Sequence, residues 1–183
     1  IPLCLVGSEM CIRDSVYALE MQHLFANVWV FVGHESQTPK HGDYFTTQIG
    51  SQPVIQVRHS DGGIKVLHNR CPHKGTKIAI DRHGNTGTFF RCPYHAWSFE
   101  TDGRLKAVPL ESGYSDTSFD TTENANGIKP VGAVHNHRGF VFARLADTGI
   151  SFDDFFGDSL SSIDNMVDRS PEGRLEVAGP PLR

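Results

Sequence analysis

Two kinds of hydrophobic pattern follow one another along the chain. Apolar residues recur at near-helical spacing between Leu19 and Val28, and the pattern then becomes strand-like at residues 29–32. From about Asp43, short apolar stretches are separated by turn residues, which is typical of antiparallel strands. The turn signals are Asp61-Gly62-Gly63, His83-Gly84-Asn85 and Thr101-Asp102-Gly103. This region therefore predicts a small antiparallel β-sandwich or barrel.

A third pattern begins after Asp147. Apolar residues there are spaced three to five positions apart, which predicts a helix; they are Phe155, Leu160, Ile163 and Met166. Residues 174–183 read as the start of a strand. We therefore expect a mainly β protein with a helical segment at 16–42, a β domain at 43–147 and the beginning of a further α+β domain at 148–183.

The first fifteen residues stand apart from this organisation. The stretch "LVGSEMCIRDS" from Leu5 to Ser15 resembles the conceptual translation of a transposon-type sequencing adapter. We exclude residues 1–15 from the fold prediction and expect the protein proper to begin near Val16, as a piece of a longer chain. This also removes Cys4 and Cys11 from the cysteine count.

Composition narrows the classes of partner. The 183 residues are 38% hydrophobic and carry a formal net charge of -4, with a pI of about 6.2. Such a chain offers no basic surface for nucleic acid. No apolar run reaches the roughly 18 residues that a membrane-spanning helix needs. We expect a cytoplasmic protein that binds neither nucleic acid nor membrane.

The two remaining cysteines each lie beside a histidine. The motifs are Cys71-x-His73 and Cys92-x-x-His95, and residues 74–91 between them are predicted to form a strand, a turn and a strand. Two thiolates and two imidazoles suit either tetrahedral zinc or a Rieske [2Fe-2S] cluster. Each motif supplies one cysteine and one histidine, whereas classical zinc fingers have two cysteines in one motif and two histidines in the other. The spacing favours the cluster and leaves a structural zinc site as an alternative.

These motifs also resemble a known family. "CPHKGT" and "CPYHAWSF", together with "WVFVGHESQ" before and "RGFVFARL" after them, resemble the Rieske domain of aromatic-ring-hydroxylating oxygenase large (alpha) subunits. The resemblance extends from Val16 to Arg183. It implies a Rieske-type antiparallel β-sandwich with a [2Fe-2S] hairpin subdomain at 43–147, followed by the truncated start of an α+β catalytic domain.

The resemblance also implies roles for individual residues. Cys71 and Cys92 would ligate one iron, and His73 and His95 the other. A second group is expected to support the cluster: Gly75, Tyr94 and Trp97. Gly75 permits a tight turn, while Trp97 has two open interpretations, a cover over the cluster or a plain core residue. His135 and His137 form a His-x-His pair for which we expect a surface or packing role.

The implied function belongs to a larger protein. NAD(P)H electrons would pass through a reductase, and in some cases a ferredoxin, to the cluster and then to a mononuclear Fe(II) that activates O₂ to hydroxylate an aromatic substrate. No histidine follows His137, so we expect that iron site, and every catalytic residue, to lie outside this fragment, which alone would not be catalytically competent.

The resemblance also bears on the oligomeric state, and two other functions remain open. The resemblance implies a homotrimer of alpha subunits, with or without beta subunits, in which His95 contacts the neighbouring catalytic site. A Rieske ferredoxin-type electron carrier remains an alternative, since the cluster motif alone does not exclude it. A structural zinc module is the third.

Overall fold

The structure, a computed structural model, describes residues 14–119 and 126–179. Helix α1 (Asp14–Leu19) continues into a π-helical turn (Glu20–Leu24). Residues 1–13 of the adapter-like segment lie outside the described residues. The helical pattern expected over 16–42 ends at Leu24, since residues 25–28 form a turn and a strand begins at Val30.

Ten antiparallel strands are found in the described residues. They are β1 (Val30–His34), β2 (Asp43–Ile49), β3 (Gln52–Arg58), β4 (Ile64–His68), β5 (His83–Asn85), β6 (Phe89–Arg91), β7 (Ser98–Glu100), β8 (Leu105–Ala107), β9 (Ala133–His137) and β10 (Phe140–Arg144). They form three sheets, with the orders β1-β10-β9, β4-β3-β2-β5 and β6-β7-β8. This confirms the mainly antiparallel β fold.

Helical turns connect or cover these strands. The 3-10 turns are Glu35–Gln37, Glu111–Tyr114 and Gly157–Ser159, and the C-terminal helices are α2 (Phe152–Phe156) and α3 (Leu160–Asp168). The Ser151 hydroxyl caps α2 by accepting a hydrogen bond from the Asp154 amide at 3.1 Å. Among the described residues, none of the helices has the length and apolar character needed to cross a bilayer.

The four-stranded sheet is the middle layer of the fold. Strand β3 is buried on both faces, since Val54, Ile55, Gln56 and Val57 are all essentially inaccessible. Val54 packs in a core with residues of the β1-β10-β9 sheet, whereas Ile55 and Val57 pack in a second core with both predicted cysteine ligands. Successive side chains of a strand point to opposite faces, so one strand serves both cores.

The outer face of the β1-β10-β9 sheet holds the C-terminal helices. Trp29 meets Phe152 edge to face at a centroid distance of 5.4 Å, and Phe142 contacts the same ring at 5.3 Å. Arg144 crosses this layer with its guanidinium 5.1 Å from the Trp29 ring. The helix predicted after Asp147 is therefore attached to the β domain through aromatic contacts.

Four details differ from the sequence prediction. Strand β1 pairs with β10, so the boundary predicted at residue 43 runs through a sheet. Residues 83–85, read as a turn, form strand β5 beside β2. Gly84 pairs with Tyr44, and because glycine has no Cβ, the Tyr44 side chain can lie against it. The segment between the two metal motifs is no self-contained hairpin: β5 pairs with β2 and β6 pairs with β7. Residues 174–179 form no strand.

Candidate metal centre

The first metal motif folds into a tight loop directly after β4. The Gly75 amide donates to the Cys71 carbonyl at 2.8 Å, which closes a five-residue turn. The Cys71 amide in turn donates to the Thr76 carbonyl, also at 2.8 Å. Gly75 has φ of +76°, a conformation that glycine adopts without a steric penalty. The expected turn at Gly75 is present.

The second motif repeats the same turn between β6 and β7. The Ala96 amide donates to the Cys92 carbonyl at 3.0 Å, and the Cys92 amide donates to the Trp97 carbonyl at 2.8 Å. Ala96 occupies the place of Gly75 and has φ of +58°. Because this residue carries a Cβ, the conformation costs about 1–2 kcal/mol. The two loops are thus two copies of one backbone shape.

The two loops bring the cysteines together in the core. Cys71 and Cys92 are 2% and 3% exposed, and their thiols are hydrogen-bonding neighbours. Burial raises the pKa of the Cys71 thiol, and the adjacent Cys92 thiol adds to this. The backbone amides of His73 and Lys74 donate to the same sulfur and partly offset the rise in its pKa. Both cysteines belong to the same buried core.

The histidines form a second pair. The ring centroids of His73 and His95 are 4.7 Å apart. His73 is half-buried, and its Nδ1 has no hydrogen-bond partner although it is inaccessible to solvent. Burial, followed by the nearby His95 and Lys74, lowers the pKa of His73. A buried, partnerless imidazole nitrogen is unusual, and its position suits a metal-bound atom.

Trp97 supports the histidine of the other loop. Its ring stacks on His73 with a centroid distance of 4.8 Å and an interplanar angle of 4°. It is 5% exposed and packs against Phe99 and Phe119 in the same core. Trp97 is thus a core residue that also contacts a predicted ligand, and its role as a cover over the cluster stays a prediction.

Tyr94 has a different environment. It is 62% exposed, and its ring lies 3.8 Å from the exposed His95 ring. The tyrosine therefore contacts the predicted ligand without any part in the core. His95 and Tyr94 together form the solvent-facing side of the centre.

Asn69 is a supporting residue that the sequence did not reveal. Its Oδ1 accepts from the amides of Ile78 and Ala79 at 2.9 and 3.0 Å, and its Nδ2 donates to the Ala79 carbonyl at 2.7 Å. Asn69 is 3% exposed and precedes the first loop by two residues. It ties the chain after that loop to the chain before it.

The four predicted ligands lie as a cysteine pair and a histidine pair, each with one member from each loop. A Rieske cluster uses two Cys on one iron and two His on the other, while structural zinc takes four ligands itself. The residues present fit the cluster.

The comparison with known families agrees with this geometry. The model of the Rieske [2Fe-2S] domain matches residues 28–122, a range that contains both loops. The chain belongs to the Rieske [2Fe-2S] domain family. The matched range begins before the boundary predicted at residue 43, which agrees with the pairing of β1 and β10.

The chain is similar in sequence to subunits of oxygenases. This Rieske chain is 39% identical over 171 residues to the alpha subunit of toluate 1,2-dioxygenase from Pseudomonas putida, covering 92% of this chain and 37% of that subunit. It is 37% identical to the large subunit of anthranilate 1,2-dioxygenase from Acinetobacter baylyi, covering 94% of this chain and 36% of that subunit. The chain thus spans just over a third of the length of these relatives.

A solved structure shows the same fold. Naphthalene 1,2-dioxygenase from Rhodococcus sp., bound to indole, superposes with a TM-score of 0.86 and 31% identity, covering 94% of this chain and 38% of that one. The Rieske chain therefore corresponds to the Rieske part of dioxygenase alpha subunits, as its motifs indicated.

The His-x-His pair on β9 lies elsewhere. His135 stacks on Phe152 at 3.8 Å, and His137 Nε2 lies 2.8 Å from Asp164 Oδ1 on α3. Both rings face the C-terminal helices and contribute to their packing against the sheet.

Proposed function

We propose that this Rieske domain binds a [2Fe-2S] cluster, with Cys71 and Cys92 on one iron and His73 and His95 on the other. The observation that carries the proposal is the pairing of like residues across two loops of identical backbone shape. The partnerless Nδ1 of His73 supports the histidine half. The cluster would supply one-electron chemistry, and the two loops would hold and shield it.

The test is anaerobic reconstitution of the purified chain with iron and sulfide. The expected result is about two irons and two sulfides per chain and a rhombic EPR signal after reduction. His73→Ala and His95→Ala should each abolish or alter that signal, while His83→Ala, an exposed strand residue, should leave it unchanged. A colourless protein that binds one zinc would refute the proposal in favour of the structural zinc module.

The larger protein, we infer, is an oxidoreductase of the ring-hydroxylating oxygenase class. Electrons from NAD(P)H would reach this domain through a reductase, with or without a ferredoxin. The domain would pass them to a mononuclear Fe(II) outside this chain, where O₂ hydroxylates an aromatic substrate. Support comes from the identity with oxygenase subunits named for toluate and anthranilate. We propose a cytoplasmic homotrimer of alpha subunits, with or without beta subunits.

The activity is tested on the full-length protein. With a reductase, NADH and an aromatic acid, it should consume O₂ and release a hydroxylated product in step with NADH oxidation. Reduction of the cluster without any product would instead support the electron-carrier alternative. Sedimentation of the full-length protein checks the trimer.

A further inference from the structure

Residues 174–179 line a cavity on the side of the β domain. The cavity has a volume of about 790 Å³, and Val177 and the two residues after it line it together with Phe31 of β1 and Phe45 of β2. The segment forms neither helix nor strand, and Val177 is 49% exposed. A segment of this kind is held by few contacts, so each contact has a large influence on whether the cavity stays covered.

One of these contacts joins the segment to the 3-10 turn Glu35–Gln37. The Val177 amide donates to Ser36 Oγ at 3.0 Å. The turn itself is closed by His34, whose amide donates to Gln37 Oε1 at 2.7 Å and whose Nδ1 accepts from the Ser36 amide at 3.2 Å. The position of the segment therefore depends on a turn that the His34 side chain holds together.

This hydrogen-bond pattern fixes the protonation state of His34. The Ser36 amide can only donate, so Nδ1 must accept and carries no proton. Ser36 Oγ lies 2.9 Å from the same nitrogen, and its hydroxyl therefore donates to Nδ1 while it accepts from Val177. The imidazole is thus neutral, with its one proton on Nε2.

The surroundings of His34 leave no room for a different arrangement of the ring. His34 is 4% exposed, and its ring meets Phe140 edge to face at a centroid distance of 5.1 Å. Its Nε2 lies so close to Gly139 that a Cβ there would overlap it. A proton on Nδ1 would place two donors, Nδ1–H and the Ser36 amide, face to face. Protonation of the ring is therefore incompatible with the closed turn.

The nearby charges do not reverse this preference for the neutral ring. They lie on the turn, on β3, before Gly139 and on the C-terminal segment, and they are Glu35, Arg58, Arg138, Arg174 and Glu176. Arg138 pairs with Asp168 at 2.7 Å, and Arg174 lies 3.7 Å from Glu176. Burial lowers the pKa of His34 below its usual value, and the carboxylates of Glu35 and Glu176 offset this only in part.

We propose that residues 174–179 are a strap over this cavity, and that uncharged His34 keeps the strap closed through Ser36. Uptake of one proton from water at His34 Nδ1 opens the turn, releases the Val177 amide and uncovers Phe31 and Phe45. The proton stays on the imidazole, and no other covalent bond changes. The inference does not rest on the cluster, because neither His34 nor Ser36 belongs to the core that contains the predicted ligands.

The direction of the pH dependence follows from the burial of His34. The closed strap binds a proton less readily than the open one, in which the pKa of the ring returns toward about 6.5. The closed state is therefore fully favoured above about pH 6.5, and it loses stability as the pH falls below that value.

The experiment is hydrogen–deuterium exchange of the 183-residue chain, followed by mass spectrometry and corrected for the intrinsic pH dependence of amide exchange. Between about pH 7.5 and about pH 5.5, we expect the protection of amides 175–179 to fall about three- to tenfold, because one proton changes the equilibrium by at most about tenfold per pH unit. The amides of β3 should keep their protection within about twofold, since the opening is local.

Three variants assign the effect to the hydrogen-bond chain. His34→Asn keeps an acceptor, Oδ1, in the place of Nδ1 but takes up no proton, so the strap should have the same protection at both pH values. Ser36→Ala removes the acceptor of the Val177 amide and should leave protection low at both. His41→Asn is the matched control: this exposed histidine lies outside the turn, and the variant should retain the full pH dependence.

Each result decides for or against the strap. Protection of 175–179 that is independent of pH in the unaltered chain would overturn the proposal. So would a pH dependence that persists in Ser36→Ala, a half-exposed position where the substitution leaves the core intact and which decides the question if His34→Asn fails to fold. An equal loss of protection in β3 and in the strap would mean that acid unfolds the whole domain, which would also contradict a local release.

Discussion

The two metal-binding loops have the same backbone conformation, but they differ in the strands that flank them and in the burial of their histidines. The first loop follows β4, uses Gly75 at its left-handed position and places His73 half-buried against Trp97. The second is closed by the β6-β7 hairpin, uses Ala96 in the same conformation and leaves His95 exposed. Two loops of the same backbone conformation thus leave one histidine half-buried and the other exposed.

This difference teaches how the centre is supported. The second loop is held by the strand pairing of Arg91 with Ser98 at its base. The first loop has no such hairpin, and depends on the buried Asn69 side chain and on Trp97 from its counterpart. We therefore expect substitutions of the side chains that support the first loop, Asn69 and Trp97, to be more damaging than substitution of Tyr94 beside His95.

The largest effect is expected for Trp97→Ala. Removing a buried tryptophan should lower the free energy of unfolding by about 3–5 kcal/mol and should also change the EPR signal, because His73 loses its stacking partner. Urea denaturation followed by circular dichroism measures the first effect. Trp29→Ala is the matched control, since Trp29 is 8% exposed in another core. It should lose similar stability with an unchanged EPR signal, and equal EPR changes would contradict the stacking role.

A smaller loss is expected for Asn69→Ala. The buried amides of Ile78 and Ala79 would lose their acceptor, which should cost about 2–3 kcal/mol of unfolding free energy. Asn165→Ala, on the exposed face of α3, should change it by less than about 0.5 kcal/mol. Similar urea midpoints for the two variants would show that the first loop does not depend on Asn69.

Exchanging the left-handed residues should give effects of opposite sign. Gly75→Ala should destabilise the fold by about 1 kcal/mol or more, because the added Cβ is strained at positive φ and meets Arg70. Ala96→Gly should stabilise it by a few tenths of a kcal/mol, since relief of strain exceeds the entropy that glycine adds to the unfolded chain. Gly113→Ala, in open space without positive φ, should show no loss in the same urea titration. Losses at both loop positions would contradict the shared backbone shape.

The smallest effect is expected for Tyr94→Ala. The side chain is mostly exposed, so the unfolding free energy should change by less than about 0.5 kcal/mol. Thermal unfolding and urea denaturation of the variant check this. A loss above about 1 kcal/mol would mean that the Tyr94–His95 contact holds the second loop, and the two loops would then be more alike than we infer.

Much of the candidate site could be predicted from the sequence, because its residues lie in short local motifs. The motifs predict that the two Cys-His pairs lie close together, and the pairing of cysteine with cysteine and of histidine with histidine is what the family resemblance implies. The left-handed Ala96 was also within reach, since Ala96 follows Cys92 by the same four residues that separate Gly75 from Cys71. Comparing the two motifs position by position would have revealed it.

Other features depend on contacts that no local pattern encodes. The role of Asn69 requires the later chain to return to it, and nothing in its immediate sequence signals that return. Strand β5 reads as a turn because Gly84 and Asn85 are turn residues, yet pairing with β2 overrides their preference. The pairing of β1 across the boundary predicted at residue 43 has a similar origin, because its partner strand lies more than a hundred residues later.

Strand β3 makes the fold intolerant of one kind of change. Its alternate residues belong to different cores, with Val54 on one side and Ile55 and Val57 on the other. Inserting or deleting a single residue within it would exchange these occupants and turn the buried amide of Gln56 toward the two cysteines. The connections between strands can absorb added length, but β3 must keep its number of residues. Evolution can therefore change β3 by substitution but not by insertion or deletion.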